Sequence, residues 1–145
     1  MTTPNLPPVR KSRRIRGGSV MELMLVLPIL LMLSFGAVDY GYAMYLKNTV
    51  QGAALIGTRT GIVSGATNAN VTSAISSYMT SAGLSGSGYT VTMTPTDVSA
   101  GATGSTVTVQ VSVTWGNAGT KTLGSSFGGI SNGKTITGSV TMVHE

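Results

Sequence analysis

The chain has 145 residues, of which 41% are hydrophobic and only 9% are charged. Soluble domains carry about 25% charged residues, so this composition favours a chain that lies partly in a membrane or packs against other subunits. There is no cysteine and a single histidine, His144, which excludes disulfides and argues against a multi-ligand metal site. The four acidic residues are too few to suggest an acid–base pair, so we expect neither an enzyme nor a cofactor.

The net charge of +5 is concentrated near the N-terminus. Five of the nine basic residues precede position 17, namely Arg10, Lys11, Arg13, Arg14 and Arg16. The remaining four basic residues balance the four acidic ones, so the rest of the chain is formally neutral. This basic leader contains no aromatic residue that could stack on a base. We therefore expect no nucleic-acid partner, and no motif indicates a small-molecule substrate.

A long apolar segment follows the leader. Residues Gly18–Val38 contain a single charged residue, Glu22, and as a helix they would be about 32 Å long, enough to cross a bilayer. The basic residues before it predict a cytoplasmic N-terminus and a C-terminal part outside. A secretory signal peptide is the alternative, but its apolar core would be shorter and would end in a small-residue cleavage site. Here the run ends in Asp39-Tyr40-Gly41-Tyr42.

Glu22 is the departure from this apolar pattern, since a carboxylate is costly inside a bilayer. One interpretation places it in the first turn of the helix, where the helix dipole favours an anion. The spacing offers a second interpretation. If the chain were cut between Gly17 and Gly18, Glu22 would become the fifth residue of the mature protein.

The stretch from about residue 13 to residue 62 resembles the N-terminal region of TadE-like pseudopilins, minor pilin-like proteins of the tight-adherence (Flp) pilus machinery. The shared features are basic residues before a glycine, a glutamate at the fifth mature position and a following apolar run. The later matching positions are Leu27-Pro28, Phe35-Gly36, Asp39, Tyr45, Asn48, Gln51, Ala53-Ala54 and Gly57-x-Arg59.

The resemblance implies that a prepilin peptidase cuts between Gly17 and Gly18 and removes the basic leader. It further implies that Glu22 pairs with the new amine on Gly18 of a neighbouring subunit, so that these residues dock subunits. The implied partners are other pilins or pseudopilins, the pilus assembly platform and membrane lipid, and the implied location is the inner membrane of a bacterium. The alternative is an unprocessed single-pass anchor that displays a β-rich interaction module. A major pilus subunit is disfavoured, because those resemble a bare helix with a short tail.

Beyond the membrane the helical spacing continues, which predicts one helix over about residues 19–62. We divide the chain into a leader (1–17), a transmembrane helix (18–38), its extramembrane continuation (39–62) and a small extracytoplasmic domain (63–145). Gly52, Gly57 and Gly61 weaken the helix but permit close approach to this domain. Asp39 is expected to be the first hydrated residue, and Phe35, Tyr40, Tyr42 and Tyr45 are expected to form an interfacial belt.

The remaining sequence predicts a second helix over about residues 69–82, capped by Asn68 or Asn70, with Val71, Ile75 and Tyr78/Met79 on its apolar face. The period then changes to two, which predicts strands at 89–94, 106–115 and 135–143. The central strand would present Val107, Val109, Val111, Val113 and Trp115 on one face. Asp97 is expected in a turn. The predicted fold class is α+β and pilin-like: a long N-terminal helix, packed with a second helix against a small antiparallel sheet of about three strands.

Overall fold

A computed structural model of the chain describes residues 18–118 and 130–144. The described residues form two helices and three strands, α1 (Gly18–Gly61), α2 (Asn68–Ser81), β1 (Thr90–Thr94), β2 (Thr106–Thr114) and β3 (Thr135–Val143). Short 3-10 turns lie at Val98–Ala100 and Trp115–Asn117. The α+β prediction is confirmed. The chain divides into two units, Met1–Leu33 and Ser34–Glu145.

The long helix predicted for residues 19–62 runs from Gly18 to Gly61. Its first part is rich in Leu and Met, which are strong helix formers, and the helix continues through Pro28. Its later part carries threonines whose hydroxyls bond back to the preceding turn: Thr49 Oγ1 donates to the Tyr45 carbonyl at 2.9 Å and Thr58 Oγ1 to the Ala54 carbonyl at 2.7 Å. These bonds satisfy hydroxyls on the side of α1 that packs into the core.

The three strands form one antiparallel sheet in the order β1-β2-β3. Because side chains alternate across a strand, the apolar residues of β2 lie on one face and its Thr, Gln and Ser residues on the other. The four valines Val107, Val109, Val111 and Val113 are buried, as the alternation predicts. Trp115 is also buried, but it begins the 3-10 turn that follows β2 rather than ending the strand.

The second helix buries Val71, Ile75 and Met79, so its predicted apolar face is confirmed. The predicted cap is wrong, because Thr67 caps α2 by accepting a hydrogen bond from the Asn70 amide at 3.4 Å. Asn68 instead reaches a neighbouring loop. Its Nδ2 donates to the Thr96 carbonyl at 2.8 Å, and its Oδ1 accepts from the Val98 amide at 3.0 Å.

Glycines set the spacing between α1 and the rest of the domain. A Cβ at Gly57 would stand 2.6 Å from Ile75 Cδ1, and one at Gly61 would stand 3.3 Å from Val71 Cγ2. The prediction that these glycines permit close packing on the domain is therefore confirmed. The nearest side chains belong to α2, and valines of β2 follow at 3.3–3.6 Å.

Candidate subunit-docking site

The first part of α1 is an exposed apolar surface. Every residue from 18 to 33 is exposed, and this helix is the one described element that is long and apolar enough to cross a membrane. None of the most apolar stretch is buried by the other residues that the structure describes. Exposed apolar area of this size requires a cover of lipid or of other helices. The surface is therefore suited to membrane insertion and to helix–helix assembly.

Glu22 is the fifth residue of α1 and it is exposed among these apolar side chains. The first turn of α1 contains no acidic residue, so the expected first-turn position of Glu22 is wrong. The reason is that the helix already begins at Gly18. Since the effect of the helix dipole falls off within the first turn, the dipole offers Glu22 less stabilisation than the sequence suggested.

Gly18 and Glu22 are four residues apart, which places them on one face of the helix about 6 Å apart along its axis. Gly18 begins α1, and among the described residues no atom outside its neighbours lies within 4 Å of the position that its Cβ would occupy. Gly17 and the basic cluster (Arg10, Lys11, Arg13, Arg14 and Arg16) lie outside the described residues. The structure thus describes Gly18 and Glu22, the two residues that are expected to dock subunits, and the C-terminal side of the expected cleavage site.

Asp39 differs from its expected hydrated position. It retains only 7% of its accessible surface, and its Oδ2 has no hydrogen-bond partner within the described residues. Asp39 lies seven residues before the fully buried Leu46, which places both on the same helix face. The expectation that Asp39 is hydrated is wrong because the domain already packs on this face of α1 at Asp39. The sequence shows only that the apolar run ends there, and not which face of the helix the domain covers.

The aromatic residues near position 40, which are expected to form an interfacial belt, differ in their exposure and contacts. Tyr40 is 62% exposed. Tyr42 instead packs edge-on against Trp115, with ring centroids 5.6 Å apart, and its hydroxyl donates to the Ala118 carbonyl at 2.7 Å. Burial, with a smaller effect of Tyr45, raises the pKa of Tyr42. Tyr45 donates to the Ala82 carbonyl at 3.0 Å, so Tyr42 and Tyr45 both stabilise the domain.

The polar groups of the domain have structural roles. Asp97 accepts hydrogen bonds from the Ser99 hydroxyl at 2.7 Å and the Ser99 amide at 3.0 Å, and these bonds lower the pKa of Asp97. Its predicted turn position is confirmed, since it caps the turn at Val98–Ala100. His144 is buried and its amide donates to the Ser105 carbonyl at 2.7 Å. Within residues 18–118 and 130–144, no group of acidic residues and histidines could hold a metal ion.

Comparison with known proteins identifies the N-terminal segment. The family model described as "TadE-like protein" matches residues 17–59, which include Gly17, Gly18, Glu22 and most of α1. The expected resemblance to TadE-like proteins is thereby confirmed for residues 17–59. No curated protein and no solved structure matches the chain.

Proposed function

Because residues 17–59 are TadE-like, we propose that this chain is a minor pilin-like structural subunit, a pseudopilin, in the assembly of a tight-adherence pilus. The observation that carries this proposal is the exposed apolar helix with one carboxylate four residues after Gly18. The same helix continues into a small α+β domain, where Trp115 and the valines of β2 form a core. This architecture suits a subunit that is held by its helix and presents a folded domain.

Processing is the first step of the proposal. A prepilin peptidase would cut between Gly17 and Gly18 on the cytoplasmic side of a bacterial inner membrane. The uncut leader carries five basic residues and no acidic one, so it would keep the N-terminus cytoplasmic. A glycine on each side of the cut lets the backbone enter a narrow protease cleft without a side-chain clash. Cleavage removes the leader charge and leaves a free amine on Gly18.

Docking is the second step. In lipid an unpaired carboxylate is costly, and α1 supplies no cation beside Glu22, because the segment Gly18–Val38 carries no basic residue. The amine on Gly18 of a neighbouring processed subunit would supply the counter-charge. Leaving one charge of a buried pair without its partner is strongly destabilising. The pairing would therefore favour the one register of adjacent helices in which both charges are matched. Other pilins or pseudopilins and the assembly platform are the proposed partners.

The processing step is tested by N-terminal sequencing and intact mass of the protein recovered from membranes of cells that express the peptidase. We expect a start at Gly18 for the unaltered chain and a retained leader for Gly17→Leu. Gly36→Leu is the matched control, because Gly36 is an exposed glycine of the same helix with no neighbour at its Cβ position. It should be cut normally.

The other outcomes discriminate between the alternatives. A start at Met1 or Thr2 in the unaltered chain would contradict processing and favour an unprocessed anchor that displays the β-rich domain. A start beyond residue 36 would indicate an exported domain that has lost the helix, and would contradict the proposal as a whole.

A further inference from the structure

A cavity of about 340 Å³ lies between α1 and the beginning of β3. Its lining combines apolar side chains with two lysines: Tyr40, Ala43, Met44, Lys47, Ile130, Lys134 and Ile136. All of these residues belong to the unit Ser34–Glu145. The volume is at the lower end of the range for small-molecule sites, which combine mainly apolar walls with a few polar groups.

The cavity lies directly beyond the predicted end of the membrane span. Tyr40 is two residues past Val38, and Lys47 is nine residues past it, about 14 Å further along the helix axis. Tyr40 and Met44 have exposed side chains and lie four residues apart on the face of α1 that lines the cavity, so this face presents apolar surface beside the cavity. An acyl chain lying on this surface would have its headgroup at the level of Lys47.

The two lysines come from different elements and converge on the same cavity. Both are exposed, and neither forms an ion pair within the described residues. Asp97, one of the two described acids of this unit, caps a turn with Ser99. The backbone of Lys134 is held in place, because its carbonyl accepts from the Trp115 amide at 2.8 Å and its amide donates to the Ser131 carbonyl at 3.0 Å.

We propose that this cavity binds one anionic phospholipid from the leaflet next to the domain. Its phosphate would lie between Lys47 and Lys134, and an acyl chain would pack along Tyr40 and Met44. Two ammonium groups complement a phosphate by charge-assisted hydrogen bonds, and basic residues beside a membrane attract anionic headgroups. This inference rests on the proposed membrane insertion of α1, but it requires neither the cleavage at Gly17 nor the pairing of Glu22.

The test is native mass spectrometry of the full chain, purified in a neutral detergent and supplied with phosphatidylglycerol or with phosphatidylcholine of the same acyl chains. We expect one retained phosphatidylglycerol per chain and little phosphatidylcholine. The double variant Lys47→Gln/Lys134→Gln should bind phosphatidylglycerol about thirtyfold more weakly. Arg59→Gln is the matched control, because Arg59 is an exposed cation of α1 that does not line the cavity. It should retain the lipid.

Several outcomes would overturn the proposal. Equal retention of phosphatidylcholine would show that the lysines do not select the headgroup, and unchanged binding in the double variant would place the lipid elsewhere. Displacement by millimolar inorganic phosphate would indicate a free-anion site instead of a lipid site. Fluorescence of Trp115, the only tryptophan, reports whether each variant is folded.

A second copy of the chain is the competing occupant. Since the chain contains no cysteine, a single Met44→Cys variant can be treated with a bifunctional maleimide in membranes. If two copies are cross-linked and added phosphatidylglycerol does not reduce the cross-linking, the lipid proposal is overturned. A chain that starts at Met1 and still binds the lipid would contradict the proposed processing but not the lipid proposal. The two proposals can therefore be tested independently.

Discussion

Gly138 of β3 lies against the backbone of Gln51 in α1. A Cβ at position 138 would stand 2.7 Å from the Gln51 amide nitrogen and 2.8 Å from the Val50 carbonyl carbon. Gly138 is paired in register with Val111 of the central strand. The third strand therefore approaches the long helix at a point where only hydrogen can occupy the side-chain position, and the helix and sheet pack together through this contact.

Gly138→Ala is expected to destabilise the domain by about 1–3 kcal/mol, because overpacking against rigid backbone forces the strand away from the helix. Urea unfolding followed by Trp115 fluorescence measures the change, since Trp115 is fully buried in the native domain. Gly86→Ala is the control, as no atom lies within 4 Å of its Cβ position. An unfolding midpoint for Gly138→Ala equal to that of the control would contradict the close packing of β3 on α1.

The contact between Gly57 and Ile75 makes a different prediction, because the neighbouring atoms belong to a side chain. Gly57→Ala places a methyl group 2.6 Å from Ile75 Cδ1, while the gain in helix propensity is about 1 kcal/mol. Ile75→Val removes the Cδ1 atom and should relieve the closest contact, although the Cγ1 atom of residue 75 would remain 2.9 Å from the new methyl group. We expect the loss in free energy of unfolding of the double variant to be smaller than the sum of the losses of the two single variants, by about 0.5–2 kcal/mol. Purely additive effects would show that α2 shifts freely away from α1.

The raised pKa of Tyr42 predicts a loss of stability at alkaline pH. Burial, together with Tyr45, raises the pKa of Tyr42 in the folded domain above its unfolded value of about 10. The contribution of Tyr42 to the free energy of unfolding is therefore complete below about pH 10. It is lost as the pH rises from there through the pKa of Tyr42 in the folded domain. Melting temperatures measured between pH 8 and pH 11 should fall less steeply for Tyr42→Phe than for the unaltered chain.

At neutral pH the same variant should lose about 0.5–1.5 kcal/mol, because the Ala118 carbonyl loses its hydrogen bond from the Tyr42 hydroxyl. Tyr40→Phe is the control, since Tyr40 is mostly exposed, and its alkaline profile should match that of the unaltered chain. Identical profiles for Tyr42→Phe and the unaltered chain would exclude Tyr42 as the source of the alkaline loss.

The sequence predicts those features of the domain that follow from local periodicity. The alternation in β2 identifies its buried valines, and the three- and four-residue spacing in α2 identifies Val71 and Ile75. The features that the sequence does not predict depend on tertiary contacts. Thr67, Asn68 and Asn70 are all suitable caps by residue type, but the loop at residues 96–98 engages Asn68, and nothing in the alternation of β3 distinguishes Gly138 as its contact with α1.

The candidate site is predictable in part for the same reason. The apolar run and the position of Glu22 relative to Gly18 are properties of one segment, so the sequence contains them. The burial of Asp39 depends on how the domain packs on α1, and the cavity between Lys47 and Lys134 joins residues that are far apart in the chain. Such sites become visible only when the fold brings the two segments together.

Glu22 carries the last prediction, which concerns assembly. Glu22→Val should leave processing and membrane insertion intact, because it removes the only charge from the segment Gly18–Val38. It should also reduce association with partner pilins by at least about tenfold, since the amine of the neighbouring Gly18 would then have no carboxylate. Co-purification of tagged and untagged subunits from detergent-solubilised membranes measures the association, and intact mass of the same samples reports processing.

Two further variants separate pairing from general helix packing. Met21→Val changes the neighbouring residue without altering charge, and should co-purify with partners as the unaltered chain does. Glu22→Val combined with Leu25→Glu returns a carboxylate to the same helix, but three residues further from the amine, so it should not restore association. Unchanged co-purification of Glu22→Val, or full rescue by the displaced carboxylate, would show that Glu22 does not set the register and that the apolar surface of α1 alone holds the subunits together.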